Sequence, residues 1–116
     1  MAPSENKLRQ ILVAQLTAAE RAKGVVYVLL GPVAAGTILD FPHSSINVPW
    51  EAEIAFVDRE PMANWGHRCR YILISRSKGE VVSIEARYPP FQDDGRSWRV
   101  AFQAKSVPDS VLAVPR

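Results

Sequence analysis

The sequence predicts an α+β domain, with an N-terminal helix packed on a mainly antiparallel sheet of four to five strands. Three observations carry this reading. Apolar residues recur at helical spacing over residues 4–23. After Gly24 the period changes to that of strands. From there to residue 105 the strand-like runs are separated by short connections, which join antiparallel neighbours rather than crossing over a sheet.

Length and composition agree. With 116 residues the chain is expected to be one domain over 1–116, and it can bury a core without covalent staples. The apolar fraction is 47% and the charged fraction 22%, which is ordinary for a globular chain and excludes disorder throughout. A net charge of +2 is too small to argue by itself for nucleic acid or an anionic membrane. One cysteine makes no intrachain disulfide. The polar start MAPSENKLRQ leads into no signal-like apolar stretch, and the most apolar run, 25–39, is broken by Gly31, Pro32 and Gly36. The expectation is a cytoplasmic protein with no membrane association.

In the first element Leu8, Ile11, Leu12, Gln15, Leu16 and Ala19 form one stripe. Ser4 is placed to cap the start and Gly24 to end it. Thr17-Ala-Ala-Glu20 is itself a capping-box pattern, so a break near Leu16 competes with one continuous helix over 4–23. The continuous helix, with Thr17 exposed, is the reading adopted.

Residues 25–30 are an unbroken β-branched and aliphatic run, expected as a strand buried on both faces. Residues 35–41 are a weaker strand, and 42–49, with two prolines, a loop. Residues 51–57 alternate as a strand, and 58–66 form a loop broken by Pro61 and Gly66. Residues 67–75 and 80–87 flank Arg76-Ser77-Lys78-Gly79 as a hairpin. Pro89-Pro90 stops the second strand, and Asp93-Asp94-Gly95 favours a turn. Over 97–105, Trp98, Val100, Phe102 and Ala104 alternate with polar positions, which predicts one apolar and one wet face. The tail, 106–116, is expected to be irregular, with Val111, Leu112 and Val114 available to dock on the core.

Chemistry-bearing residues concentrate between Phe56 and Ser75, where Asp58, Glu60, Trp65, His67 and Cys69 fall close together. On a strand from residue 67, His67, Cys69, Tyr71 and Leu73 share a face. An imidazole beside a thiol is the unit of cysteine nucleophilic catalysis, with Asp58 or Glu60 to orient the histidine. A mid-strand cysteine leading into Tyr71 is, however, the pattern of a small core residue, and Cys69 is expected to be buried, with Asp58 bonded to backbone or to an arginine. His43, His67, Cys69 and Asp58 are zinc ligands by type, but their spacing fits no zinc pattern, so neither metal nor cofactor is expected. Arg59, Arg68, Arg70, Arg76 and Lys78 with Trp65 and Tyr71 suit single-stranded nucleic acid on an exposed sheet. Asp58, Glu60 and Glu80 dilute that patch, and nucleic acid is not the partner expected.

The loops 58–66 and 88–95 are placed to meet at one end of a meander, carrying Trp65, Tyr88, Phe91, Asp93 and Asp94. Aromatic rings in proline-rich loops supply binding surface. The functional expectation is therefore a small non-enzymatic binding or interaction protein. Trp65, Tyr88 and Phe91, with Arg68 and Arg70, would engage a protein or small-molecule ligand. The rival is a cysteine-dependent hydrolase or transferase using Cys69, His67 and Asp58 or Glu60. A ligand cavity between helix and sheet is a third arrangement this fold can hold. An open sheet also leaves edges through which a homodimer can form.

Overall fold

The expected single helix is two helices, α1 (Glu5–Gln15) and α2 (Ala18–Lys23). The break falls at the capping box. Thr17 Oγ1 accepts from the Glu20 N–H at 3.1 Å, and Glu20 Oε1 accepts from the Thr17 N–H at 2.9 Å. Thr17 is extended, with ψ 166°, so no helix runs through it. The stripe is redirected as a result: Leu8, Leu12 and Leu16 are buried, Ala19 is exposed, and Glu20 turns inward.

The computed structural model describes residues 5–41, 43–63, 66–75, 77–91 and 98–114. The Ser4 cap, Trp65 and the Asp93-Asp94-Gly95 turn lie outside the described residues.

Among the described residues seven strands follow: β1 (Val25–Leu29), β2 (Ile38–Phe41), β3 (Ser44–Asn47), β4 (Ala52–Asp58), β5 (Cys69–Ser75), β6 (Val81–Ala86) and β7 (Trp98–Gln103). Five form an antiparallel sheet in the order β6-β5-β4-β1-β7. The stretch 42–49, expected to be loop, instead contributes β3, which pairs with β2 in a separate hairpin. Burial explains it. Leu39, Phe41, Ile46 and Val48 drop from this hairpin onto the sheet, and apolar contact outweighs the turn-forming composition.

The molecule thus has three layers, and both sheet faces are covered. α1, with Leu8 and Leu12, and Leu16 just after it lie on one face against Val26, Val28, Ala55, Val57, Ile72 and Ile74. On the other face Tyr27, Ile54, Phe56, Tyr71 and Leu73 meet the β2–β3 hairpin. β1, β4 and β5 are buried along their whole length. The cavity along α1 is a groove of about 280 Å³ at its margin with β7, lined by Leu8, Leu12, Val28 and Phe102.

β7 is half-buried throughout instead of having a wet face. Its register with β1 shifts between Val26 and Tyr27, and Phe102 packs against both apolar clusters. After a 3-10 turn at Asp109–Val111 the tail docks as expected. Val111, Leu112 and Val114 pack on the core, and the Ala113 N–H donates to Tyr27 Oη at 3.0 Å.

Gly24 ends α2 for a reason other than left-handed geometry, since its φ is −96°. A Cβ there would stand 2.7 Å from Glu20 O and 3.1 Å from Asp58 O. Only glycine allows α2 to turn this closely over the end of β4. Among the described residues, no helix is long and apolar enough to cross a membrane.

Candidate functional site

β4 ends at Asp58, β5 starts at Cys69 and β6 ends at Ala86, so their flanking loops gather at one end of the sheet. The two loops singled out in the sequence come together where Gly66 reaches Arg87, the residue before the second loop, and where a Cβ on Gly66 would stand 3.8 Å from Tyr88 Oη. The Gly66 N–H donates to Arg87 O at 3.2 Å, and Arg87 Nη1 donates to Gly66 O at 3.3 Å. Gly66 has φ +102°, a conformation that favours glycine.

Beneath them lie the polar residues. β5 begins at Cys69, so His67 precedes the strand and does not share a strand face with the thiol, a correction to the expected strand start. His67 Nε2 instead meets Asp58 Oδ1 at 2.7 Å, with both side chains buried. Asp58 Oδ1 also accepts from the Glu60 N–H at 3.1 Å, which folds the loop back over the end of β4. Burial pushes the Asp58 carboxyl up from its ordinary value, and the hydrogen bond with His67 only partly opposes this.

Cys69 is fully buried, and its thiol donates to Tyr88 O at 3.8 Å. Burial, then the Asp58 charge, push the thiol up to about 12. Tyr71 Oη donates to the same carbonyl at 3.1 Å. The Tyr88 backbone is therefore held from below while its ring stays 38% exposed and stacks on His43 at 4.1 Å.

The arginines have separate fates. Arg70, expected among exposed cations, is buried on the helix face of β5. Its guanidinium donates to both Glu20 oxygens (3.0 and 2.8 Å), to Ser83 Oγ (3.0 Å) and to Gln15 O (2.8 Å). Arg59 bridges Glu20 at 2.7 Å and grips Glu85 with two hydrogen bonds at 2.7 and 2.8 Å. Arg68 is 67% exposed and reaches Glu85 at 3.4 Å. The buried Arg70 and Tyr71 remove the exposed basic and aromatic sheet face on which nucleic acid was weighed.

Phe91 is a plug rather than a free ring, with edge contacts to Tyr27, Phe56 and Trp98 at 4.9, 5.6 and 5.8 Å. Among the described residues, no group of three or more His, Cys, Asp or Glu side chains is arranged to hold a metal ion.

No family model matches the chain, and no significant match is found among curated proteins or solved structures. The site must therefore be read from its own geometry. Four concavities ring this end of the sheet. One lies by His43, Arg87 and Tyr88 (about 370 Å³), and the next between Arg68, Glu85 and Arg87 (about 200 Å³). A third lies between Thr17, Lys23, Arg59 and Arg68 (about 370 Å³), and the last by Lys23, Met62 and Val107 (about 470 Å³).

Sequence reasoning passed over Lys23, Met62, Glu85 and Arg87, and weighed Glu20 only as part of a capping box and His43 only as a zinc ligand by type. One signal was available. The hairpin turn closes with the Ser75 N–H donating to Glu80 O, and counting back from it sets Arg70 opposite Glu85. That register marks a charged cross-strand pair at the loop end.

Proposed function

We propose that this chain is a binding module without catalytic chemistry, and that it engages an extended protein segment through the loops at the Asp58 end of its sheet. One observation carries the reading: neighbouring concavities share lining residues. Arg87 belongs to the first two, Arg68 to the second and third, and Lys23 to the third and fourth. Together they make a continuous belt around the sheet end, with exposed Tyr88 near one limit and Met62, 69% exposed, near the other. A belt of linked shallow hollows suits an extended chain better than a small ligand, which favours one deep pocket. The test is a photo-crosslinking residue at position 62, 88 or 78, the last in the turn at the far end of β5. Recovery of one common partner from 62 and 88, but not from 78, is the expected result. Unrelated partners from 62 and 88 would reject the belt.

The cysteine-enzyme reading has less support. A thiol held neutral up to about pH 12 and bonded to a backbone carbonyl is a weak nucleophile at neutral pH. The Asp58–His67 hydrogen bond ties the loop to the end of β4, and the Asp58 charge disfavours the thiolate further.

A second reading, association of two copies through a sheet edge, is favoured by a difference between the edges. β7 carries a register shift, and its Ala101 carbonyl is taken by Arg9 Nε at 2.9 Å. β6 is regular over six paired residues, Val81–Ala86, and ends the described sheet. An unbulged outer strand is the one available for pairing. Light scattering should give a dimer that Val82→Lys returns to monomer, and a wild-type monomer would reject this reading.

A further inference from the structure

We infer that the belt's partner is an extended segment with carboxylates along its middle and apolar side chains toward its ends; this rests on the belt being the binding surface. The argument is one of charge balance and position. Of the carboxylates lining the belt, Glu20 is buried and shared by Arg59 and Arg70, and Glu85 is held by Arg59 and Arg68. Glu60 is the third. Lys23, Arg68 and Arg87 are all exposed. Arg87 bonds a backbone carbonyl, Gly66 O, and so keeps its charge uncompensated there.

These three cations stand where one concavity joins the next, with Glu85 beside Arg87 at the first junction and Arg59 and Glu60 beside Lys23 at the last. Glu85 is already engaged by Arg59 and Arg68, and the lining cations Lys23, Arg59, Arg68 and Arg87 outnumber the carboxylates. Outside these junctions the end hollows present exposed Tyr88 at one limit and exposed Met62 and Ala63 at the other. An extended segment crossing the belt would meet a cation at each junction, a net excess of positive charge along its middle and apolar surface within the end hollows. Carboxylates facing guanidinium groups form strong charge-assisted hydrogen bonds, and like charges there are rejected. The complementary ligand is thus an extended acidic and apolar peptide, and a basic peptide of the same pattern is disfavoured.

The experiment uses the whole chain and two fluorescein-labelled peptides. One carries glutamates spaced along its middle with leucines toward both ends, and the other replaces each glutamate by lysine. Anisotropy should report saturable binding of the glutamate peptide that weakens as salt is raised. The double variant Arg68→Glu, Arg87→Glu should weaken it by about tenfold or more, while Lys78→Glu, in the turn at the far end, should leave it unchanged. Unaltered melting of both variants shows that folding is not the cause. Equal or tighter binding of the lysine peptide, or indifference to the double variant, overturns the inference. If neither peptide binds, the segment cross-linked from positions 62 and 88 decides. An acidic segment upholds the inference, a neutral or basic one overturns it while the belt stands, and absence of a common partner removes the belt itself.

Discussion

Arg70 on β5 and Glu20 on α2 are joined across fifty positions of sequence by two hydrogen bonds, at 3.0 and 2.8 Å. The same guanidinium donates to Gln15 O, the last carbonyl of α1. One side chain therefore satisfies the carbonyl freed where the helix breaks and neutralises the carboxylate that caps the restart. The break, the cap and the loop-end network form one unit.

Removing the shared carboxylate leaves Arg70 buried without its counter-charge. Glu20→Gln should therefore cost about 3–5 kcal/mol of stability, as expected for breaking a buried ion pair from one side. Glu85→Gln, at a site 57% exposed, should cost far less. Urea unfolding of both variants checks the ranking, and equal losses would contradict it.

Gly24→Ala should be destabilising by about 1–3 kcal/mol even though alanine is the better helix former. The added methyl meets two backbone oxygens, Glu20 O and Asp58 O, which cannot swing away as a side chain would. A variant that melts at or above the wild-type temperature would show that α2 sits less tightly on β4 than described.

The Cys69 thiol should be silent to iodoacetamide at pH 8 in the native protein and react once urea unfolds it. Burial has pushed it up to about 12 from an ordinary value of 9.0. The sign follows. Below pH 9 both folded and unfolded thiols are neutral and contribute no difference. Above pH 9 the unfolded thiol ionises first, so stability falls as pH rises. Cys69→Ser should cost about 1–3 kcal/mol if its hydroxyl fails to reach Tyr88 O. Rapid native alkylation at pH 8 would reopen the enzyme reading.

Acid should loosen the loop end. The two hydrogen bonds from Arg59 hold Glu85 down to about 2. Burial alone would raise Glu20, but hydrogen bonds from Arg70, the Thr17 N–H and Arg59 outweigh it and keep it below its ordinary value. Both are depressed carboxylates. Their stabilisation is present above the ordinary value of 4.5 and is lost as pH falls from there toward about 2. The urea midpoint should drop over that window, and Glu20→Gln should flatten the drop. A pH-independent midpoint in the variant and the wild type alike would show that these pairs contribute nothing.

What the sequence determined by itself was the fold class, the burial of β1 and the apolar Cys69–Leu73 face of β5, whereas the full burial of β4 and of Arg70 was not legible. The β-branched run of β1 and the alternation of Cys69, Tyr71 and Leu73 against Arg70, Ile72 and Ile74 are local patterns, and burial follows from local pattern. The meeting of the 58–66 and 88–95 loops was legible too, because a hairpin returns its ends to one place. Three further things were decided only by the tertiary structure. The capping box at Thr17 was ambiguous until Arg70 arrived from β5 to take Gln15 O. His67, weighed with Asp58 or Glu60 as its orienting carboxylate and Cys69 as its strand-face neighbour, bonds Asp58 and leaves the face of Cys69, because β5 starts two residues later than its pattern implies. The stretch holding β3 became strand because Ile46 and Val48 found an apolar face to cover. In each case the deciding partner lies far along the chain. Hydrogen bonding and burial between distant residues carry no periodicity, so no local pattern announces them.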